Sequence, residues 1–127
     1  MRENISNDIT SWLISLPIVD STNNYAMQLI QDGLAYHGLV VSAAEQTKGK
    51  GQRGKVWLSE PGENVVMSIV IDPQSYMDIY WLSFMIPLAV CKALQEVVPE
   101  CQIKIKWPND IYVGKQKLAG ILIENVF

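Results

Sequence analysis

Residues 45–64 read EQTKGKGQRGKVWLSEPGEN, and this run limits the fold more than any other part of the chain. Gly49, Gly51 and Gly54 are interleaved with Lys48, Lys50, Arg53 and Lys55, with no acid among them. Glycines loosen the backbone and like charges oppose compaction, so the run reads as a loop between strand-like segments at 39–45 and 64–71. Its centre, GKGQRGKV, comes within one residue of the phosphate-loop pattern G-x-x-x-x-G-K-[ST]. A phosphate loop needs a hydroxyl for magnesium and must open directly into a helix. Position 56 is Val, and residues 57–62 are turn material before a strand, so that reading fails on both counts. Two alternatives stay open. One is a flexible surface loop; the other is a flap, poorly ordered when empty, that closes over a phosphate-bearing ligand.

The distribution of charge bears on the same question. Eight of the ten Lys and Arg residues fall in two stretches: Lys48, Lys50, Arg53 and Lys55, then Lys104, Lys106, Lys115 and Lys117. The 13 acids are scattered. A net charge of −3 argues against a general nucleic-acid or anionic-membrane binder. Gathered cations in such a chain point to a local anionic ligand, or else to two solvated basic segments.

The 127 residues make one domain at most, large enough for a real core. With 49% apolar and 18% charged residues, the composition is that of an ordinary soluble globular protein. The most apolar run, 81–91, is too short to span a bilayer. No apolar signal core opens the sequence, so a cytoplasmic location is expected. Cys91 and Cys101 match neither CxxC nor a metal spacing and read as reduced thiols.

Along the chain, residues 12–19 read as a strand, and the polar run at 20–23 supplies N-cap candidates for a helix over 23–31. Asp32-Gly33 closes that helix. Residues 79–98 carry a broad apolar stripe at helical spacing, which Pro87 is expected to kink or split. Strict alternation marks a strand at 103–107, and 111–113 with 117–123 forms a hairpin. The order βαββα then βββ implies an α+β fold with a mixed, largely antiparallel sheet and helices packed on it.

Four motifs, DSTNN at 20–24, EQTKGKGQRGKVW at 45–57, KWPND at 106–110 and KLAGILIEN at 117–125, together resemble those of the biotin–protein ligases. They occur in the family's order at closely similar intervals. The resemblance implies the class II aminoacyl-tRNA synthetase/biotin ligase catalytic fold over residues 1–127, incomplete at its C-terminus and without a DNA-binding domain. It implies ATP-dependent activation of biotin to biotinyl-AMP, then transfer to a lysine of the biotin carboxyl carrier domain of a biotin-dependent carboxylase. Magnesium would arrive with ATP rather than at a dedicated metal site. No nucleic-acid or membrane partner is expected; a homodimer is possible through an exposed sheet edge.

The same resemblance assigns residues. Lys117, Lys50 and Asp110 take catalytic positions, with Lys117 touching carboxylate and α-phosphate oxygens and Asp110 receiving the carrier lysine's proton. Biotin contacts fall on Ser21, Thr22, Asn23, Gln46, Gly51, Gln52 and Gly120. Nucleotide contacts fall on Lys50, Arg53, Trp57 and Lys117. Two positions depart from the family pattern: Lys50 stands where Arg is usual, keeping charge but losing the planar fork, and Gln52 stands where many relatives carry Arg. Two further readings remain: a non-catalytic biotin- or adenylate-binding fragment, and a lipoate or octanoate ligase-transferase of related fold.

Overall fold

The computed structural model describes residues 11–73 and 78–126. The N-terminal stretch read for a signal sequence lies outside them. The chain divides into two compact units, Met1–Asp72 with Val126–Phe127, and Pro73–Asn125.

In the first unit, strand β1 (Leu13–Val19) leads through helix α1 (Thr22–Gln31) into strand β2 (Val40–Gln46), and strand β3 (Val66–Ile69) completes the sheet in the order β1-β2-β3. Because α1 carries the chain back across the sheet, β1 and β2 run parallel, with Leu13 beside Val40 and Val19 beside Gln46. β3 pairs antiparallel with β2, setting Val41 opposite Ser68 and Ala43 opposite Val66. Helix α1 starts where Ser21 accepts the Asn24 N–H and stops at Asp32, before Gly33 at φ +72°. Thr22, Ala26 and Leu29, spaced four and three apart, form its buried face. Ala26, Leu29, Leu39 and Val41 make the core, flanked by Ile14, Leu16, Tyr25 and Val70. Leu29 and Val41 are almost fully buried, which stabilises by about 1.5–3 kcal/mol each.

The second unit packs helix α2 (Ile79–Val97) on strands β4 (Ile103–Lys106) and β5 (Asp110–Val113), with β6 (Gln116–Gly120) on the far side of β5. All pairings here are antiparallel. Asp78 caps α2, its carboxylate accepting the Tyr80 N–H at 2.8 Å. The expected split at Pro87 does not occur, since α2 runs through it as one element. Pro87 removes one intrahelical bond but is itself buried, so packing offsets the loss. At the other end the Gln95 amide donates to the Cys101 carbonyl at 2.8 Å, tying the helix exit to the approach to β4.

The α+β class with largely antiparallel pairing agrees with the sequence reading. Among the described residues the strands divide between two three-stranded sheets. Cys91 and Cys101 are unbridged. Among the described residues no helix is long and apolar enough to cross a membrane.

Candidate functional site

The residues singled out from the sequence fall in two groups, one within each unit. In the first unit, parallel pairing brings the carboxyl ends of β1 and β2 side by side, next to the N-terminus of α1. In open α/β arrangements that end of the strands is where ligands bind. Ser21, Thr22 and Asn23 begin the helix there, and Gln46 ends β2. Ser21 is 2% exposed and Thr22 3%, so their polar atoms require partners. Ser21 Oγ accepts the Asn24 N–H at 3.0 Å as the helix cap. Asp20 braces this turn, accepting from Ser21 N–H at 2.7 Å and from the Asn24 amide at 3.0 Å. Those contacts hold the Asp20 carboxyl below its ordinary range, the Asn24 side chain contributing most and the Ser21 N–H next; the Lys48 charge adds less.

Thr22 faces Gln46. Its N–H donates to Gln46 Oε1 at 2.8 Å, and its hydroxyl lies 3.2 Å from the same oxygen. With Oε1 engaged, the amide nitrogen of Gln46 is oriented away from Thr22. The Thr22 hydroxyl also lies 2.7 Å from Ser68 Oγ, and Ser68 donates to Asn23 Oδ1. Two of the sequence-predicted residues, Thr22 and Asn23, are thus joined through one that the sequence reading missed. The available signal was slight: a lone hydroxyl in the apolar run VVMSIVI, on the core-facing side of β3.

The cationic loop begins just beyond Gln46. There the loop folds back on itself. Lys50 bridges Val56, Gly51 N–H donates to the Lys55 carbonyl at 2.7 Å, and Trp57 N–H donates to Gly49 at 2.9 Å. The turn is a short 3-10 segment, Gln52–Gly54, with Arg53 at φ +55° and Gly54 at +76°. Glycine lets this arch close, and the charges do not oppose it because Lys50, Gln52, Arg53 and Lys55 all project outward as exposed side chains. Gly49 is buried at the base of the arch. A Cβ there would stand 2.3 Å from the Trp57 carbonyl oxygen and 3.1 Å from Gln46 Nε2, so only glycine fits. Trp57 is half-buried, and Gly51 is held by its bond to Lys55.

In the second unit the strand register decides which side chains share a face. Lys104 pairs with Tyr112 and Lys106 with Asp110, so these four lie on one side of the sheet, away from buried Ile111. β6 sets Gly120 opposite Asp110 and Ala119 opposite Ile111. The register then shifts, so that Lys117 stands opposite Tyr112. Leu118 falls in that shift, a β-bulge. With unbroken pairing Lys117 would oppose Val113, on the face of Ile111. The bulge turns it instead toward Asp110, and Lys117 Nζ lies 2.9 Å from Asp110 Oδ1. The KWPND turn, 107–109, is fastened to the KLAGIL strand by Ile121 N–H donating to the Asn109 carbonyl at 3.0 Å. Lys106 also lies 5.5 Å over the Tyr112 ring. Three lysines and one aspartate thus give this face a positive balance. Among the described residues no group of three or more His, Cys, Asp or Glu side chains is placed to hold a metal ion.

The first unit is thus a βαβ unit with paired polar groups at its strand ends, followed by a cationic glycine arch. The chain belongs to the Biotin/lipoate A/B protein ligase family, whose model matches residues 15–127. It is similar to the Biotin--[acetyl-CoA-carboxylase] ligase of Paracoccus denitrificans, 39% identical over 108 residues that cover 84% of this chain and 44% of that protein. It is also similar to the Bifunctional ligase/repressor BirA of Escherichia coli strain K12, 36% identical over 110 residues, covering 86% of this chain and 33% of that one. Among solved structures, the biotin protein ligase from Aquifex aeolicus in complex with biotin and ATP matches with a TM-score of 0.74 and 34% identity, over 89% of this chain and 46% of that one. The chain spans less than half the length of each of these relatives.

Proposed function

We propose that this protein joins biotin to a lysine of a biotin carboxyl carrier domain, using ATP. The observation that carries the reading is the hydrogen-bonded set Thr22–Gln46–Ser68–Asn23 beside the Lys50 arch, at the carboxyl ends of β1 and β2. A cyclic urea needs donors for its carbonyl and acceptors for its two N–H groups, and amide and hydroxyl side chains supply both. Ser21, Thr22, Asn23 and Gln46 would hold that ring, with Gly51, Gln52 and Gly120 as further biotin contacts.

In the first step a carboxylate oxygen of biotin attacks the α-phosphorus of ATP, and pyrophosphate leaves with its bridging oxygen. Two anions must meet, so fixed cations lower the barrier by offsetting their repulsion. Lys117 is assigned to the carboxylate and α-phosphate oxygens, and Lys50 and Arg53 to the phosphate side, with Trp57 against the adenine. Magnesium comes with the nucleotide as part of the substrate. In the second step the carrier amine attacks the acyl carbon, AMP departs, and Asp110 takes the ammonium proton.

The test is exchange of labelled pyrophosphate into ATP. Exchange that depends on biotin is expected. A folded protein that shows none, or shows exchange indifferent to biotin, rules the ligase reading out. A parallel titration with lipoate should give weaker binding than biotin; the reverse order would reassign the substrate to the lipoate branch of the family.

A further inference from the structure

We propose that Ser68 is a positioning residue that fixes which way the Thr22 hydroxyl points, and so makes Thr22 a hydrogen-bond acceptor toward the ligand. This rests on the biotin reading above and extends it to a residue that the motifs do not contain. Ser68 is 7% exposed, on β3, opposite Val41 of β2. A hydroxyl carries a single proton and two lone pairs. The Ser68 proton is spent on Asn23 Oδ1, so at the 2.7 Å contact with Thr22 the serine oxygen accepts and Thr22 donates. The Thr22 proton is therefore directed into the core, and its oxygen turns lone pairs outward. Gln46 Oε1 is meanwhile held by the Thr22 backbone N–H at 2.8 Å, which leaves its amide nitrogen as the donor end.

The result is an ordered pair, an acceptor at Thr22 and a donor at Gln46, complementary to an N–H and the C=O of one urea edge. Remove the Ser68 hydroxyl, and the Thr22 proton has one remaining protein acceptor nearby, Gln46 Oε1 at 3.2 Å. The recognition pattern then changes without any ligand-touching side chain having been replaced.

The experiment compares wild type with S68A and S68T, by calorimetric titration of biotin and of the two biotin analogues methylated on one or the other ureido nitrogen. S68A should weaken biotin binding about tenfold, the scale of one lost neutral hydrogen bond, and S68T should restore it. For the analogue methylated on the nitrogen that faces Thr22, which has no N–H to donate there, the S68A penalty should vanish, which a merely structural role of Ser68 would not produce. Should S68A fail to melt cooperatively, S68C replaces it, keeping the volume with only a weak donor. Biotin affinity in S68A equal to wild type, or an equal penalty for biotin and for both N-methyl analogues, overturns this inference alone. A wild-type protein that does not bind biotin overturns the functional reading beneath it.

Discussion

Lys50 rides on a loop and Lys117 on a strand, and the two are aimed by different physics. The Lys50 arch is set by backbone hydrogen bonds that close only because Gly49 lacks a Cβ and because the turn tolerates positive φ at Arg53 and Gly54. Lys117 is set by sheet register, and a single bulge at Leu118 decides whether it joins the apolar face or the charged one. A loop cation of this kind can follow a ligand as it changes along a reaction. A strand cation is pre-aimed and costs little reorganisation when charge develops. The division suits a reaction in which one cation must track phosphates and another must meet a carboxylate at a fixed place.

The sharpest way to break this comparison is to remove the strand cation. Lys117→Ala should lower biotin-dependent pyrophosphate exchange by about 10²–10³-fold. Thermal stability should hardly move, since the partly exposed pair with Asp110 contributes at most about 1 kcal/mol. A large loss of stability with exchange intact would make Lys117 a structural residue. Next, Asp110→Asn should slow transfer from preformed biotinyl-AMP to the carrier by about 10²-fold, the scale of general-base assistance, while pyrophosphate exchange survives. Equal slowing of both steps in single-turnover measurements would remove the distinct role for Asp110.

The loop side is broken at its base. Gly49→Ala forces a Cβ to within 2.3 Å of the Trp57 carbonyl, so the arch must open. Denaturant unfolding should show a loss of about 1–3 kcal/mol, and adenylate affinity should fall with it. An alanine variant with unchanged stability would mean that the arch is not closed in solution. The smallest effect lies at Asp20. Its folded-state pKa lies below the unfolded one, so it adds stability above the unfolded value, and that contribution is lost as pH falls through the folded value. Melting curves of wild type and D20N should therefore differ near neutral pH and converge in acid; a constant offset at every pH would assign the effect to something other than titration.

Much of this was legible in the sequence, and what was missed has physical causes. Element order and type could be read because each strand and helix carries its own period and its own punctuation, as at Asp32-Gly33 and Gly114-Lys115. Pro87 was expected to kink or split helix α2; it does not split it, and the ring is buried. Local charge and glycine content suggested a pliant loop but not its path. The arch instead depends on backbone bonds between residues six or eight apart, such as Lys50 with Val56, which composition does not reveal. Ser68 escaped because its partners, Thr22 and Asn23, are more than forty positions away, met only through the β2–β3 register. The bulge at Leu118 escaped for a related reason, since regular alternation was the only sequence guide to which face Lys117 takes. KWPND and KLAGIL singled out Asp110, Lys117 and Gly120, but not that Gly120 and Asp110 are cross-strand neighbours.

Equilibrium binding of biotinyl-AMP and of biotin, measured side by side for wild type, K50A and K117A, tests most directly the proposed contacts of Lys50 and Lys117 with the adenylate. Each substitution should weaken biotinyl-AMP at least tenfold, as the loss of one charge-assisted hydrogen bond implies, and should leave biotin affinity much less affected. If either lysine can be removed with biotinyl-AMP held as tightly as before, the two cations do not share that ligand.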